Sequence, residues 1–158
     1  AQDMECYEGA TMIKTFRGLV ASGAQDTILL HTNDGSTGYR IVKLKLFPSN
    51  PDSSYETVIK VYSVATNSNV TTPTITADFS DNELLAAAWY ERSGNQTGHI
   101  NIVFDNMIFN QDIYVTCKCG QSGTMNYYLE LEQIKLDINA NTVATLKDMR
   151  NTATPNPG

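Results

Sequence analysis

The feature that most constrains this chain is an alternation of apolar and polar side chains with period two, repeated in one segment after another. Successive residues of a β-strand point to opposite faces, so such alternation suits a strand with one face buried and one in water. Leu129-Glu130-Leu131-Glu132 is the cleanest case, with apolar side chains on one side and acids on the other. In Tyr39-Arg40-Ile41-Val42-Lys43-Leu44-Lys45-Leu46-Phe47, the two lysines share one face while Val42, Leu44 and Leu46 share the other. Residues 56–64 place β-branched or aromatic side chains at almost every position, as a well-buried strand would. Further strands are predicted at 12–20, 27–31, 84–91, 100–104 and 113–117, which makes about eight.

The intervening segments are built from turn-forming residues: Asn33-Asp34-Gly35, Pro48-Ser49-Asn50-Pro51-Asp52, Ser93-Gly94-Asn95 and Gly120-Gln121-Ser122-Gly123. Gly and Asn accept positive φ, and Pro denies an N–H to a sheet ladder. The run Leu84-Leu85-Ala86-Ala87-Ala88-Trp89-Tyr90 is ambiguous, because alanine favours helix and residues 81–83 offer a cap. Its continuation through Glu91-Arg92 into Ser-Gly-Asn reads as a strand entering a turn, with alanines small enough to admit a close neighbour. Short strands with this punctuation predict an all-β fold, an antiparallel, jelly-roll-like β-sandwich with flexible terminal arms.

A chain of 158 residues suits one domain, and 41% apolar residues suffice for its core. The expected division is an N-terminal arm over 1–11, the sandwich over 12–140, and a C-terminal segment and tail over 141–158. The Thr/Asn/Pro stretch at 67–76 is expected to be an exposed, adaptable loop. A net charge of −6 opposes a nucleic-acid partner, and no run approaches the roughly 20 apolar residues of a membrane helix. Residues 1–8 are polar and acidic, unlike the basic-then-apolar order of a secretory signal.

Catalytic chemistry finds little to work with. Nucleophilic catalysis needs a nucleophile, a base and an orienting group, and neither His31 nor His99 lies in such a motif. Glu130 and Glu132 share a face, but strand alternation already accounts for them as the wetted side. Cys117 and Cys119 also share a face; a metal there would need Cys6, His31 or His99 brought in from afar. The acids of 78–83 are dense but lack a calcium loop's glycine and spacing, and turn formation explains them more simply. No catalytic residue, metal or cofactor is therefore expected, and the chain is read as a non-enzyme. Asn69-Val70-Thr71 and Asn95-Gln96-Thr97 match glycosylation acceptors, which matter only in a secretory setting. The candidate interaction residues are Trp89, Tyr90, Tyr127 and Tyr128, two adjacent pairs that each send one ring to either side of a strand. At least one ring of each pair is expected in the core, and the other is free for a sugar or a neighbouring subunit.

Four stretches resemble a family of small virion-associated proteins of tailed bacteriophages, especially marine ones. They are Phe16-Arg17-Gly18-Leu19-Val20, Gly38-Tyr39-Arg40-Ile41-Val42-Lys43, and the run from Phe104-Asp105-Asn106 through Phe109-Asn110-Gln111-Asp112-Ile113-Tyr114-Val115-Thr116. The fourth is Asn126-Tyr127-Tyr128-Leu129-Glu130-Leu131-Glu132-Gln133, running on to Thr142-Val143-Ala144-Thr145-Leu146-Lys147-Asp148-Met149-Arg150-Asn151. The resemblance implies a structural component of a phage virion without enzymatic activity; within that class a capsid decoration or cement subunit is the leading expectation. A tail, baseplate or connector subunit is the near alternative. The expected partners are other virion proteins, and self-association or a place in a lattice is expected through the loops and termini. From a different class, a carbohydrate-binding module with exposed aromatics is the second reading.

Overall fold

A computed structural model describes residues 12–30, 35–93, 98–120 and 123–136. The arm at 1–11, the segment 141–158 and residues 137–140 of the expected sandwich lie outside the described residues. Eight strands form among the described residues: β1 (Met12–Ala21), β2 (Gln25–Ile28), β3 (Thr37–Pro48), β4 (Tyr55–Tyr62), β5 (Leu84–Arg92), β6 (His99–Phe104), β7 (Ile113–Cys119) and β8 (Thr124–Lys135). They build two sheets, β1-β8-β3 and β2-β7-β4-β5-β6, with every pairing antiparallel. The predicted all-β sandwich is present. Its strands nest as in a jelly roll: β1 with β8, β2 with β7 and β4 with β5. The remaining pair departs from that scheme, since β6 lies near β3 but hydrogen-bonds to β5, giving three and five strands.

The core fills the space between the sheets, and period-two patterning puts it there. From β8, Met125, Tyr127, Leu129 and Leu131 point inward and are buried, while Asn126, Tyr128, Glu130 and Glu132 point outward. From β4 come Tyr55, Thr57, Ile59 and Val61; from β7 come Ile113, Val115, Cys117 and Cys119. The ambiguous alanine run is a strand. Ala86 and Ala88 face inward opposite Val61 and Ile59, and their small side chains let β3 pass close over β5.

One detail of the expected face assignment changes. A β-bulge between Ile41 and Lys43 inserts Val42 as an extra residue in β3. Tyr39 and Ile41 therefore face the core together with Leu44, whereas Val42 is half-exposed. The lysines keep to the outer face, where Lys43 stands opposite Glu130 and Lys45 opposite Tyr128.

A second correction concerns 67–76. This stretch is not a free loop; it belongs to a strap, residues 63–83, that leaves β4 and folds back over the outer face of the larger sheet. Its one helical turn, α1 (Ser68–Thr71), buries Val70 against Tyr62, Leu84 and Tyr114, a second small core outside the sandwich. Asn67 organises the strap because its amide is both acceptor and donor. Its Oδ1 accepts from the Asn69 N–H at 2.8 Å, and its Nδ2 donates to Asp81 at 3.0 Å and Glu83 at 2.8 Å.

Two glycines have specific reasons to be glycine. Gly23, with φ of 83°, closes the tight turn by which the chain passes from β1 to β2. Gly18 lies where a Cβ would fall 2.8 Å from the Tyr127 ring and 2.9 Å from the Asp26 carboxylate. Those two groups are themselves joined, the Tyr127 hydroxyl donating to Asp26 Oδ2 at 2.6 Å. Gly18→Ala is therefore expected to lower the unfolding free energy by about 1–3 kcal/mol, the range for overpacking a filled site. A urea melt unchanged by that substitution would show that the Tyr127–Asp26 pair moves aside freely.

Candidate interaction faces

The two outer sheet faces hold the chemically informative residues. On the larger sheet, Lys60 occupies the centre of β4 between Ala87 of β5 and Thr116 of β7. The strap covers it completely, so its relative exposure is 0%. Its Nζ donates to the Thr76 carbonyl at 2.5 Å and to Thr74 Oγ1 at 3.2 Å, and lies 5.7 Å from the centre of the Tyr62 ring. Burial lowers its pKa below the usual lysine value, and the negative charge of Asp81 opposes that shift. The same burial, helped by Asp81 and Asp78, raises the Tyr62 phenol. Lys60 and Tyr62 thus anchor the strap and do not face a solvent-filled site.

Beyond the strap the sheet is open. Trp89 stands opposite Val58 and Asn101 on the outer face and is 39% exposed. Together with Ile75, Phe79, Ala87 and Val103 it lines an apolar groove of about 310 Å³. Phe79 projects from the strap with 67% of its surface in water and also borders a second hollow of about 300 Å³ beside Phe104.

The outer face of the three-stranded sheet is organised in rows. Register places Arg17 opposite Tyr128, which in turn faces Lys45; the next row is Leu19, Asn126 and Phe47. The other half of the face is a charged ladder. Arg40 Nε meets Glu132 Oε1 at 2.5 Å, and Lys43 Nζ lies 3.7 Å from Glu130. The Tyr128 hydroxyl also donates to Glu130, at 2.7 Å, and this hydrogen bond raises the phenol's pKa.

Of the four candidate residues, Trp89 and Tyr128 are exposed or half-exposed on outer faces, while Tyr90 and Tyr127 point inward. Tyr90 packs edge-on against Tyr55, with ring centres 6.1 Å apart. Each pair does divide across its strand, but Trp89 and Tyr128 lie on opposite outer faces and share no site. Cys117 and Cys119 are both buried, with Cys119 Sγ 2.6 Å from Thr57 Oγ1. Burial, and secondarily Cys119, pushes the Cys117 thiol up to about 12. The carboxylates of 78–83 serve the strap: Asp78 accepts from Ser80, and Asp81 from the Glu83 N–H. Among the described residues no three His, Cys, Asp or Glu side chains converge as a metal would require. His99 is exposed at the start of β6; Cys6 and His31 lie outside the described residues.

The residues that sequence reasoning passed over are Lys60, Arg17, Lys45 and Phe47. A lysine inside the run Val58-Ile59-Lys60-Val61-Tyr62 is itself a signal, since a charge there needs a cover. Nothing in the sequence sets Arg17, Tyr128 and Lys45 side by side; only the pairing of three distant strands does so.

No family model matches the chain, and no curated protein does. Among solved structures, the Yersinia pseudotuberculosis-derived mitogen (YPM) aligns over 84% of this chain and 93% of that one, with 17% identity and a TM-score of 0.29. A likeness at that level carries no argument about fold or function.

Proposed function

We propose that the chain is a non-enzymatic structural subunit of a bacteriophage virion, in the manner of a capsid decoration or cement protein. The observation that supports this reading is the apolar surface on both outer faces. Leu19 and Phe47 stand exposed on one, and Ile75, Phe79, Trp89 and Val103 on the other or along its strap. Apolar patches of this kind mark surfaces that a neighbour covers. Such a subunit works by surface complementarity repeated many times, which needs a rigid sandwich and no reactive centre. The resemblance of Phe104 to Thr116 and of the β8 segment to phage virion proteins points the same way.

The test is mass spectrometry of gradient-purified particles of the encoding phage. The expected result is a stoichiometric protein, at a copy number on the order of hundreds if it decorates the capsid lattice. A few multiples of six would place it in the tail, baseplate or connector instead. Absence from the particle, or trace amounts only, overturns the virion reading. The alternative of a sugar-binding platform made by Trp89 with Tyr90 loses ground, because Tyr90 faces inward against Tyr55.

A further inference from the structure

We propose that the outer face of the three-stranded sheet binds an acidic saccharide, its carboxylate held between Arg17 and Lys45 and its ring laid on Tyr128. The inference shares Leu19 and Phe47 with the surface argued above but is tested separately from the virion reading, and it rests on charge, shape and the chemistry of one hollow. That hollow measures about 600 Å³ and is bordered by Arg17, Leu19, Lys45, Phe47, Asn126 and Tyr128. Sites for small ligands span roughly 300–1,000 Å³ and combine apolar walls with a few convergent polar groups.

Charge complementarity selects the ligand. The described residues of the face include four cations, and two of them are engaged, Arg40 by Glu132 and Lys43 by Glu130. Arg17 and Lys45 form no ion pair among the described residues, and both stand next to Tyr128 in the register. Neighbouring strands lie about 4.8 Å apart, so the Cα atoms of Arg17 and Lys45 flank that of Tyr128 and stand roughly 10 Å from each other. A guanidinium matches a carboxylate bidentately, and an ammonium adds a second point charge. The same geometry disfavours an extended polyanion. Glu130 and Glu132 continue the face in one direction, and the whole chain is at −6. The site suits one negative group, not a row of them.

The apolar half of the hollow selects a sugar over a simple anion. The Tyr128 hydroxyl is tied to Glu130, so the ring leans along the strand in a held position. Phe47 is 64% exposed and Leu19 57% exposed on either side of Asn126. A pyranose has an apolar C–H face and a rim of hydroxyls. Tyr128 and Phe47 offer surface to the first, and the Asn126 amide offers both a donor and an acceptor to the second.

The decisive comparison is between methyl β-D-glucuronide and methyl β-D-glucoside, which share a ring and differ by one carboxylate. In a titration of the full chain followed by amide NMR, the glucuronide is expected to bind at least about tenfold more tightly than the glucoside. Shifts should concentrate on β1, β3 and β8. Arg17→Gln with Lys45→Gln should weaken the glucuronide about tenfold or more, the scale of losing a charge-assisted bond. Tyr128→Ala should weaken it similarly, whereas Trp89→Ala on the opposite sheet should have no effect. These are surface positions, and unchanged melting curves would confirm that each variant is folded. Equal affinity for the two sugars, binding that survives the double substitution, or no shift with roughly 10 mM glucuronide overturns the proposal. A hexaglutamate peptide that shifts the same residues while the glucuronide does not also overturns it, and assigns the face to acidic peptides. None of these outcomes decides the virion reading, whose test is the composition of the particle.

Discussion

Leu129→Ala should lower the unfolding free energy by about 3–4 kcal/mol and the melting temperature by roughly 10 °C. Leu129 has no exposed surface and sits at the middle of β8, with Phe16 and Leu44 as its register partners on either side. Truncation removes the buried methyl groups and leaves a void that two hydrogen-bonded neighbours hold open. A cost of this size is a large share of the roughly 5–15 kcal/mol available to a domain. The adjacent position supplies the control. Glu130 points outward and shares a 3.7 Å ion pair with Lys43, so Glu130→Ala should cost less than about 1 kcal/mol. Urea denaturation of both variants measures the contrast. Equal losses at 129 and 130 would mean that the alternation does not divide core from water as described.

The second large effect is expected at Lys60. Lys60→Ala empties a fully buried position beneath the strap and should cost about 2–4 kcal/mol. Lys60→Met fills most of the same volume and should recover the greater part of that loss. Methionine cannot donate to Thr74 and Thr76, however, so hydrogen exchange across 67–76 should quicken in both variants. The pH dependence separates charge from packing. Because the folded-state pKa of Lys60 lies below 10.5, the unfolded chain binds that proton more tightly through the interval between the two values. Wild-type stability from this group therefore rises with pH toward 10.5. Lys60→Met lacks the titration, so the balance between the two proteins should move in favour of wild type over that range. If Lys60→Ala leaves both global stability and strap exchange unchanged, the lysine is no anchor.

Much of the fold could be read without the structure because β patterning is local. Leu129, Leu131, Glu130 and Glu132 declare their faces through neighbours two residues away, and the alanine run of β5 was legible from the turn that follows it. The 67–76 stretch was not. Its polar threonines and asparagines resemble a free loop, and its one apolar anchor, Val70, has meaning only beside Tyr62, Leu84 and Tyr114. Val42 was misassigned for a related reason: a bulge changes the count between strands without changing the composition of either.

The candidate surface divides along the same line. Local patterning was enough for about eight antiparallel strands and for the split of each aromatic pair across its strand. Tertiary structure alone decided that Trp89 and Tyr128 lie on opposite faces, that Lys60 is covered, and that Arg17 and Lys45 flank one ring. Side-chain alternation follows from the geometry of a single strand, whereas a face is assembled from strands whose paired residues lie at least 77 positions apart. Its composition depends on register, on bulges and on which strands become neighbours, and those are settled only when the two sheets close on their shared core.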